Sequence, residues 1–343
     1  MKRVVIIGGG FAGTIVARRL SNKFEVTLID NKDYFEYIPG VLRGIQDLKY
    51  LEGLRVKHED YLINVEVVVG NVSTVSKKEV IVGGKKIGFD YLVIASGGKS
   101  KKFFNGPLVY SAYNGKDMEN AFSSVVKAKK IVVVGGGLVG VELAAELAEA
   151  YEDKKISLIH PKEDILERQH PRTRRIANSW LRKNKVELVL GEIVIAQEKS
   201  VCICDSGKRI EADVVFSCMG VGSNSEFLEK NFSKILSERK QVIVNDNLVV
   251  EGEDNMFAVG DITGIKEEKT AQNAELQGEV VAENIKRLER GEELKKYKSG
   301  KRAIVVSLGS KEGIVEYGNF VIGGFIGGLM KWLTEKWVMV GYK

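Results

Sequence analysis

The chain has 343 residues, 44% of them hydrophobic, and this is enough for two domains and a sizeable buried core. Its net charge of +6 is spread along the sequence and concentrates only at 295–302, so a nucleic-acid-binding protein is disfavoured. The sequence contains no run of about 18 apolar residues, so it predicts no transmembrane helix. The first strand begins too early for a signal peptide, so we expect a cytoplasmic protein.

A glycine-rich turn follows the first predicted strand. Val4–Ile7 are four consecutive apolar residues, typical of a buried parallel strand, and they lead into Gly8-x-Gly10-x-x-Gly13 and a helix. In this order the glycines allow a tight turn, a close approach of the backbone to a pyrophosphate, and packing of the helix on the strand. The next predicted strand ends in Asp30, where an acceptor for a ribose hydroxyl is expected. These features predict a dinucleotide site.

Two later segments place small or acidic residues at strand ends. One buried strand ends in Ala95, Ser96 and Gly97, which would let a cofactor lie close over the backbone. Another, at 255–259, ends in Gly260 and Asp261 and puts a carboxylate at the carboxyl edge of the sheet. The residues between them include two further predicted strands, at 241–244 and 247–250.

The opening pattern repeats after the apolar strand 131–134. Gly135-x-Gly137-x-x-Gly140 opens a second helix. One such pattern is weak evidence because glycine-rich turns are common, but two copies in the same context are strong evidence. The sequence therefore predicts two dinucleotide-binding halves.

The second copy differs at its acidic position, where the strand ends in His160. Cationic residues follow it, namely Lys162, Arg168, Arg172, Arg174 and Arg175. A carboxylate here accepts from a ribose 2′-hydroxyl and repels a 2′-phosphate, so its replacement favours NADPH. We expect NADPH to be accepted and, in the stronger form of the prediction, preferred. The alternative is that the arginines face solvent.

The three cysteines and three histidines are not arranged for metal or disulfide chemistry. Cys202 and Cys204 alternate along a predicted hairpin strand, where a bridge would be strained. Cys218 follows an apolar run and is interpreted as buried. The histidines lack metal-ligand spacing. We predict no metal site and no redox disulfide.

Four motifs, in this order, resemble the two-dinucleotide-binding flavoprotein reductases: Gly8–Gly13, 90–97, Gly135–Gly140 and 257–261. The resemblance covers about residues 1–290. It implies FAD at the first site and NADH or NADPH at the second. The implied fold class is α/β, with two Rossmann-like dinucleotide-binding domains, the NAD(P) domain being inserted in the FAD domain, and a short C-terminal segment.

The resemblance also predicts domain limits and site residues. The FAD-binding domain takes 1–108 and 241–292, the NAD(P)-binding domain 109–240, and C-terminal strands and a helix 293–343. The predicted FAD contacts are Gly8, Gly10, Ala12, Gly13, Asp30, Ala95, Ser96, Gly97, Gly260, Asp261 and Ala271. The predicted contacts of the nicotinamide cofactor are Gly135, Gly137, Leu138, Val139, Gly140, His160, Lys162 and Gly220.

Two residues receive catalytic roles. By resemblance, Glu142 approaches the nicotinamide and hydrogen-bonds its carboxamide. The alternative is a first-turn glutamate that only favours the helix dipole. Gln272 belongs to 271–278, which resembles the segment beside the isoalloxazine and quinone in type II dehydrogenases. Leu276 departs from that motif, which usually has glutamine there.

Within the superfamily the chain most resembles type II NADH:quinone oxidoreductases and the related ferroptosis-suppressor, apoptosis-inducing-factor-like branch. This implies an enzyme that passes a hydride from NAD(P)H to FAD and two electrons to a quinone. One alternative is a soluble NAD(P)H-dependent reductase or oxidase that uses oxygen, ferredoxin or rubredoxin. Another is a flavin-binding sensor or structural partner.

The last segment predicts an amphipathic helix. On a helical wheel its apolar residues fall on one arc: Phe325, Ile326, Leu329, Met330, Trp332, Leu333 and Trp337. Lys331, Thr334 and Glu335 lie opposite, and Lys336 interrupts the arc. Tryptophans near lysines suit a helix lying in a membrane interface, from which a lipophilic quinone would be drawn. We expect this to be the inner face of the membrane. The alternative is packing on its own domain or in a homodimer.

Overall fold

The computed structural model describes residues 1–101, 104, 106–300 and 302–342. Lys301, part of the basic run at 295–302, lies outside them. The described part is a mixed α/β structure, which confirms the predicted fold class, and its two largest sheets each have five parallel strands. No helix of the described residues is both long and apolar enough to cross a bilayer.

The first large sheet has β1 near its centre. Its strands are β1 (Arg3–Ile7), β2 (Glu25–Asp30), β5 (Val65–Val69), β9 (Tyr91–Ile94) and β20 (Met256–Ala258), in the spatial order β20-β9-β1-β2-β5. Val4–Ile7 are buried because both faces of a central parallel strand are covered. Helices α1 (Phe11–Leu20) and α8 (Ala271–Glu289) pack against each other beside this sheet.

The second large sheet has the same construction. Its strands are β11 (Val109–Ser111), β12 (Lys130–Val134), β13 (Lys155–His160), β14 (Glu187–Leu190) and β18 (Val214–Ser217), in the order β11-β18-β12-β13-β14. Its helices are α4 (Gly115–Lys127), α5 (Leu138–Ala150) and α6 (Pro171–Lys183). The first sheet takes strands from before and after this segment, which supports the insertion that we propose with limits near 109 and 240.

Smaller elements complete the described chain. The remaining strands are β3 (Tyr34–Glu36), β4 (Arg55–Lys57), β6 (Val72–Val75), β7 (Glu79–Val82), β8 (Lys85–Gly88), β10 (Gly98–Lys99), β15 (Val194–Glu198), β16 (Val201–Cys204), β17 (Arg209–Glu211), β19 (Gly222–Ser223), β21 (Ile304–Leu308), β22 (Glu312–Tyr317) and β23 (Phe320–Gly324). The other α-helices are α2 (Lys49–Gly53), α3 (His58–Tyr61), α7 (Glu229–Phe232) and α9 (Phe325–Val340), and 3-10 segments run over Ile38–Ile45, Glu226–Leu228, Ser233–Ile235 and Gly260–Ile262.

The prediction of strands at 241–244 and 247–250 was wrong. These residues form only single bridges, such as Val244 with Val250. The Asn245 side chain accepts hydrogen bonds from the N–H groups of Asn247 (2.9 Å) and Val249 (3.1 Å). A side chain that binds its own neighbouring backbone offers an alternative to a sheet ladder, and a turn results.

The C-terminal segment packs on the body of the molecule at two places. Strands β21, β22 and β23 form an antiparallel sheet that carries α9 and packs on α5 and α6. Just past α9, the Tyr342 ring stacks on Phe35 with 3.8 Å between ring centroids, and its hydroxyl lies 3.1 Å from that of Thr14 on α1. Both ends of α9 are thereby fixed.

Candidate functional site

The two glycine turns have the same geometry. Gly8 and Gly135 have φ of +107° and +117°, which side chains rarely adopt. A methyl group at Gly13 would overlap the carbonyl oxygen of Gly8, and one at Gly140 would overlap that of Gly135. The absence of a side chain at the third glycine therefore lets each helix lie directly on its turn.

The middle glycine of each turn faces open space. Apart from chain neighbours, no atom of the described residues lies within 4 Å of a methyl group built at Gly10 or Gly137. These glycines immediately precede α1 and α5. The unpaired N–H groups and the dipole of a helix N-terminus favour an anion. The space and the donors fit a pyrophosphate at each turn.

Asp30 and His160 occupy equivalent positions. The Asp30 carboxylate, at the end of β2, accepts hydrogen bonds from the N–H groups of Gly9 and, at 2.9 Å, Lys32. At the end of β13, His160 Nδ1 accepts from the N–H of Gly136 at 3.0 Å. The histidine thus takes the place of the aspartate in holding its glycine turn.

The first glycine turn lies against the end of β9 and the segment at Gly260. The Ala95 N–H donates to the Ile7 carbonyl at 2.8 Å. A methyl group at Gly260, which has φ of +79°, would lie 3.8 Å from the Ala12 side chain. The structure therefore brings Ala12, Ala95 and Gly260 together around the turn.

Polar side chains lie next in the chain to Gly260 and Ala95, namely Asp261 and Ser96. Burial raises the pKa of the Asp261 carboxyl, and Lys269 opposes this shift. Ser96 Oγ donates to the Asn224 carbonyl at 2.8 Å, and Gly97 has φ of +65°. Burying a carboxyl costs free energy unless a donor hydrogen-bonds to it. The hydroxyl groups of a flavin cofactor are such donors, so a carboxyl beside the turn fits this cofactor.

On α8 the buried glutamine is Gln277, which the sequence analysis did not select. Its side-chain oxygen accepts from the Gly260 N–H at 2.6 Å, and its amide donates to Glu267 at 2.6 Å. The predicted Gln272 is exposed on the first turn of the helix, after the half-buried Ala271. Gln277 lies three residues after Ala274, which is also buried. This helical spacing is the sequence signal that could have placed Gln277 on the side of α8 that faces the core.

The second glycine turn borders a cleft of about 420 Å³. Of the predicted contacts, Gly135, Gly137, Leu138, Val139, His160 and Gly220 line this cleft. Gly140 lies beneath the turn, and Lys162 is exposed and is not among the described lining residues. The lining also includes Arg168, one of the cations that follow His160 in the sequence. Tyr113, Glu167 and Glu268 line it as well, and the sequence did not indicate these three.

Glu142 lies elsewhere, under α9. Its carboxylate accepts from the Ser307 N–H at 2.8 Å and from Lys331 Nζ at 3.1 Å. It is not among the described residues that line the cleft. Its predicted contact with the nicotinamide stays a prediction.

Around Glu142 is a buried polar cluster, which also includes Lys331, Arg43, Tyr50, Glu146 and Glu335. Arg43 donates to Glu146 at 3.2 Å, and the Tyr50 hydroxyl donates to Glu335. Burial raises the pKa of the Glu146 carboxyl, and Arg43 opposes this shift. The members come from four elements, the 3-10 segment Ile38–Ile45, α2, α5 and α9. The cluster therefore joins three separate parts of the chain, at 43–50, 142–146 and 331–335.

The cysteines are thiols in apolar surroundings. Cys202 and Cys204 are buried on β16, and burial raises the pKa of Cys202 to about 12. Cys218 lines the cleft, and burial raises its pKa to about 12 as well. Such thiols are poor nucleophiles because the thiolate is the reactive form. Among the described residues no group of three His, Cys, Asp or Glu side chains could hold a metal ion.

Comparison with known proteins identifies the family. The model of the pyridine nucleotide-disulphide oxidoreductases matches residues 2–278. The chain belongs to this family. It is 31% identical over 366 aligned residues to ferroptosis suppressor protein 1 of Xenopus tropicalis, covering 99% of this chain and 96% of that protein. These matches confirm the resemblance to the two-dinucleotide-binding flavoprotein reductases and to their ferroptosis-suppressor branch.

Solved structures share the fold. The sulfide:quinone oxidoreductase of Aquifex aeolicus superposes with a TM-score of 0.90 at 20% identity, over 100% of this chain and 91% of that one. NDH2 of Plasmodium falciparum, solved with NADH, gives a TM-score of 0.87 at 15% identity over 98% and 94%. With the family established, the protein is an FAD-dependent oxidoreductase that uses NAD(P)H, as predicted.

Proposed function

We propose that this family member is an NAD(P)H:quinone oxidoreductase that works at a membrane surface. The bound cofactors would supply the chemistry, a hydride passing from nicotinamide to flavin and two electrons with two protons converting the quinone to a quinol. The observation that carries the proposal is the orientation of α9. The similarity in fold to a protein named as a sulfide:quinone oxidoreductase supports a quinone as acceptor.

The polar side of α9 faces the body of the molecule. Lys331 pairs with Glu142, and both side chains are nearly buried. One turn further on, Glu335 is 6% exposed and accepts from the Tyr50 hydroxyl. In an ordinary surface helix these charged residues would face water and the apolar residues would face the core. Here the arrangement is inverted.

Two glycines hold the helix in this orientation. A methyl group at Gly327 would overlap the carbonyl oxygen of Gly313, and one at Gly328 would overlap that of Lys311. The helix backbone therefore lies directly on β22 and the turn before it. A rotation that buried the apolar side would bring larger side chains into this contact and separate Lys331 from Glu142.

The apolar side of α9 is consequently exposed. Phe325 is 70% exposed and Trp337 is 77% exposed. The other exposed apolar residues of the helix are Ile326, Leu329, Met330, Trp332, Leu333 and Val340, and Tyr317 and Phe320 are exposed on the adjoining hairpin. Large apolar patches on soluble proteins mark interaction sites. Tryptophans with a flanking lysine, here Lys336, favour a membrane interface.

The cysteines argue against sulfide as the electron donor. A sulfide oxidase needs reactive thiols, whereas burial keeps Cys202 and Cys218 protonated at neutral pH. The protein would instead take its electrons from NAD(P)H and resemble the type II NADH dehydrogenases in function. The side of the membrane on which it works stays a prediction.

The test combines liposome flotation with quinone reduction by the FAD-loaded protein. Phe325→Glu with Trp337→Glu places two charges on the exposed side, and the control is Ile63→Glu, since Ile63 is 77% exposed outside α9. We expect the native protein and the control to float with anionic liposomes. The double variant should stay in solution and reduce a long-chain quinone in the bilayer at least about tenfold more slowly. Its rate with a water-soluble short-chain quinone should be unchanged.

Two outcomes would contradict the proposal. Equal flotation of the native protein and the double variant would show that α9 does not bind the membrane. Reoxidation of the reduced flavin by oxygen, ferredoxin or rubredoxin, with no quinone reduced, would show that the acceptor is wrong and favour the soluble alternative.

A further inference from the structure

The orientation of the His160 ring is fixed by two hydrogen bonds. Nδ1 accepts from the N–H of Gly136, so the ring proton lies on Nε2. Nε2 donates that proton to the Glu167 carboxylate at 2.7 Å. With both nitrogens engaged, the histidine has no acceptor left for a ribose hydroxyl. The acceptor that contacts this ring and lines the same cleft is the Glu167 carboxylate.

Glu167 is placed to contact a cofactor. Its side chain is about half exposed, and it lines the same cleft as Gly137 and His160. One carboxylate oxygen accepts from the histidine, so the other can accept from a ligand. Glu167 thus restores a carboxylate to the strand end that lacks one in the sequence.

The cations expected to hold a 2′-phosphate are placed elsewhere or paired. Among the described residues Lys162, Arg172 and Arg175 do not line the cleft. Arg174 lies 3.2 Å from Asp164. Arg168 does line the cleft and lies 3.6 Å from Glu268, a second lining carboxylate.

One lysine also lines the cleft, at another part of its wall. Lys101 lies against Gly222 of β19. Beside Glu167, which bonds His160, the lining therefore presents the Arg168 guanidinium together with the Glu268 carboxylate that lies 3.6 Å from it. This balance disfavours an added dianionic phosphate.

We propose that Glu167, held by His160, accepts the hydrogen bond of the adenosine ribose 2′-hydroxyl and makes NADH preferred to NADPH. A preference for NADH is opposite to the expectation from the sequence, which rested on the position of the cations along the chain. It concerns the binding of the electron donor, so it holds whatever the electron acceptor is.

The test compares NAD⁺ with NADP⁺ and NADH with NADPH on the FAD-loaded protein. Dissociation constants come from titration calorimetry, and the rate of flavin reduction comes from anaerobic stopped-flow absorbance. Glu167→Gln removes the charge while its amide can still bond His160. The control is Glu163→Gln, an exposed glutamate on the same loop that is not among the described lining residues.

We expect the native protein to bind NAD⁺ at least about tenfold more tightly than NADP⁺. Glu167→Gln should lower this ratio at least about fivefold, chiefly through tighter binding of NADP⁺, because a like charge is removed. Glu163→Gln should leave the ratio unchanged. A native protein that binds NADP⁺ as tightly as NAD⁺ would overturn the proposal, as would an unchanged ratio in Glu167→Gln. If that variant does not retain FAD, the native ratio decides.

Discussion

Lys331 Nζ lies 3.1 Å from the Glu142 carboxylate, and both side chains are close to nine-tenths buried. Glu142 follows the second glycine turn by two residues, whereas Lys331 belongs to α9. This ion pair therefore joins the helix that begins at the second glycine turn to the helix with the exposed apolar side. Removing one partner of such a pair leaves the other charge buried without compensation.

The ion pair should appear in the stability of the FAD-loaded protein. We expect Glu142→Gln and Lys331→Met each to lower the free energy of unfolding by about 3 kcal/mol, since each leaves one charge unpaired. The double variant should be less destabilised than the sum of the two. Urea unfolding in a double-mutant cycle measures the coupling, and strict additivity would show that the pair is not formed.

The same Glu142→Gln variant separates two roles of this residue. If Glu142 contacts the nicotinamide, as the sequence predicts, the variant should raise the KM for the nicotinamide cofactor or slow flavin reduction. If it only holds α9, stopped-flow reduction should match the native rate while the stability falls. Lys331→Met is the matched control, because it breaks the same ion pair and keeps the carboxylate.

The glycine turns allow a test that separates binding from folding. A methyl group at Gly137 meets open space in the described structure, and its φ of −77° suits alanine. Gly137→Ala should therefore fold normally but weaken nicotinamide binding at least about tenfold, because the methyl group occupies the place of a phosphate. Gly140→Ala should instead lower the melting temperature, since its methyl group overlaps Gly135. Equal effects of both variants on stability would contradict this view.

His58 should make stability depend on pH. It is fully buried under Gly9, its Nδ1 lies 2.7 Å from the Tyr61 hydroxyl, and its Nε2 has no partner among the described residues. Burial lowers the pKa of His58. The Asp30 carboxylate raises this pKa and the Lys32 ammonium lowers it, so these two charges oppose each other. The unfolded state, with a histidine pKa of about 6.5, therefore binds a proton first as the pH falls.

The contribution of neutral His58 to the free energy of unfolding is thus fully present above about pH 6.5. It is lost as the pH falls towards the pKa that His58 has in the folded protein. We expect the urea midpoint of the native protein to fall between about pH 7 and pH 5, and His58→Gln to reduce this fall. The same slope in both proteins would exclude His58 as its cause.

Tyr342 should be a main anchor of the C-terminal segment. It is 3% exposed, stacks on Phe35 and meets the Tyr61 ring edge-on at 5.0 Å. Tyr342→Ala should lower the free energy of unfolding by about 3–5 kcal/mol, as expected for a buried aromatic residue. Tyr342→Phe, which removes only the contact with the Thr14 hydroxyl, should lower it by about 1 kcal/mol. Limited proteolysis should then cut within α9 in the alanine variant alone.

Local patterns in the sequence predicted the parts of the site that are built locally. The turns at Gly8 and Gly135 follow from glycine spacing, since each turn lies within one strand–turn–helix unit. The partners of Glu142 and Gln277 could not be predicted in this way. Lys331 is 189 residues from Glu142, and their contact depends on how α9 lies on β22. At His160 the sequence indicated the missing carboxylate but not Glu167, because the path of a loop decides that contact.

The inverted packing of α9 would also determine the thermodynamics of the proposed binding to a lipid surface. The helix is already folded, lies directly on β22 and is fixed at its end by Tyr342, so binding would order no further backbone. The adsorption free energy would then come from dehydration of the exposed aromatic and aliphatic side chains, with no cost of coil-to-helix ordering. The heat capacity should fall on adsorption while the far-ultraviolet circular dichroism stays constant, in contrast to peptides that become helical only on the bilayer.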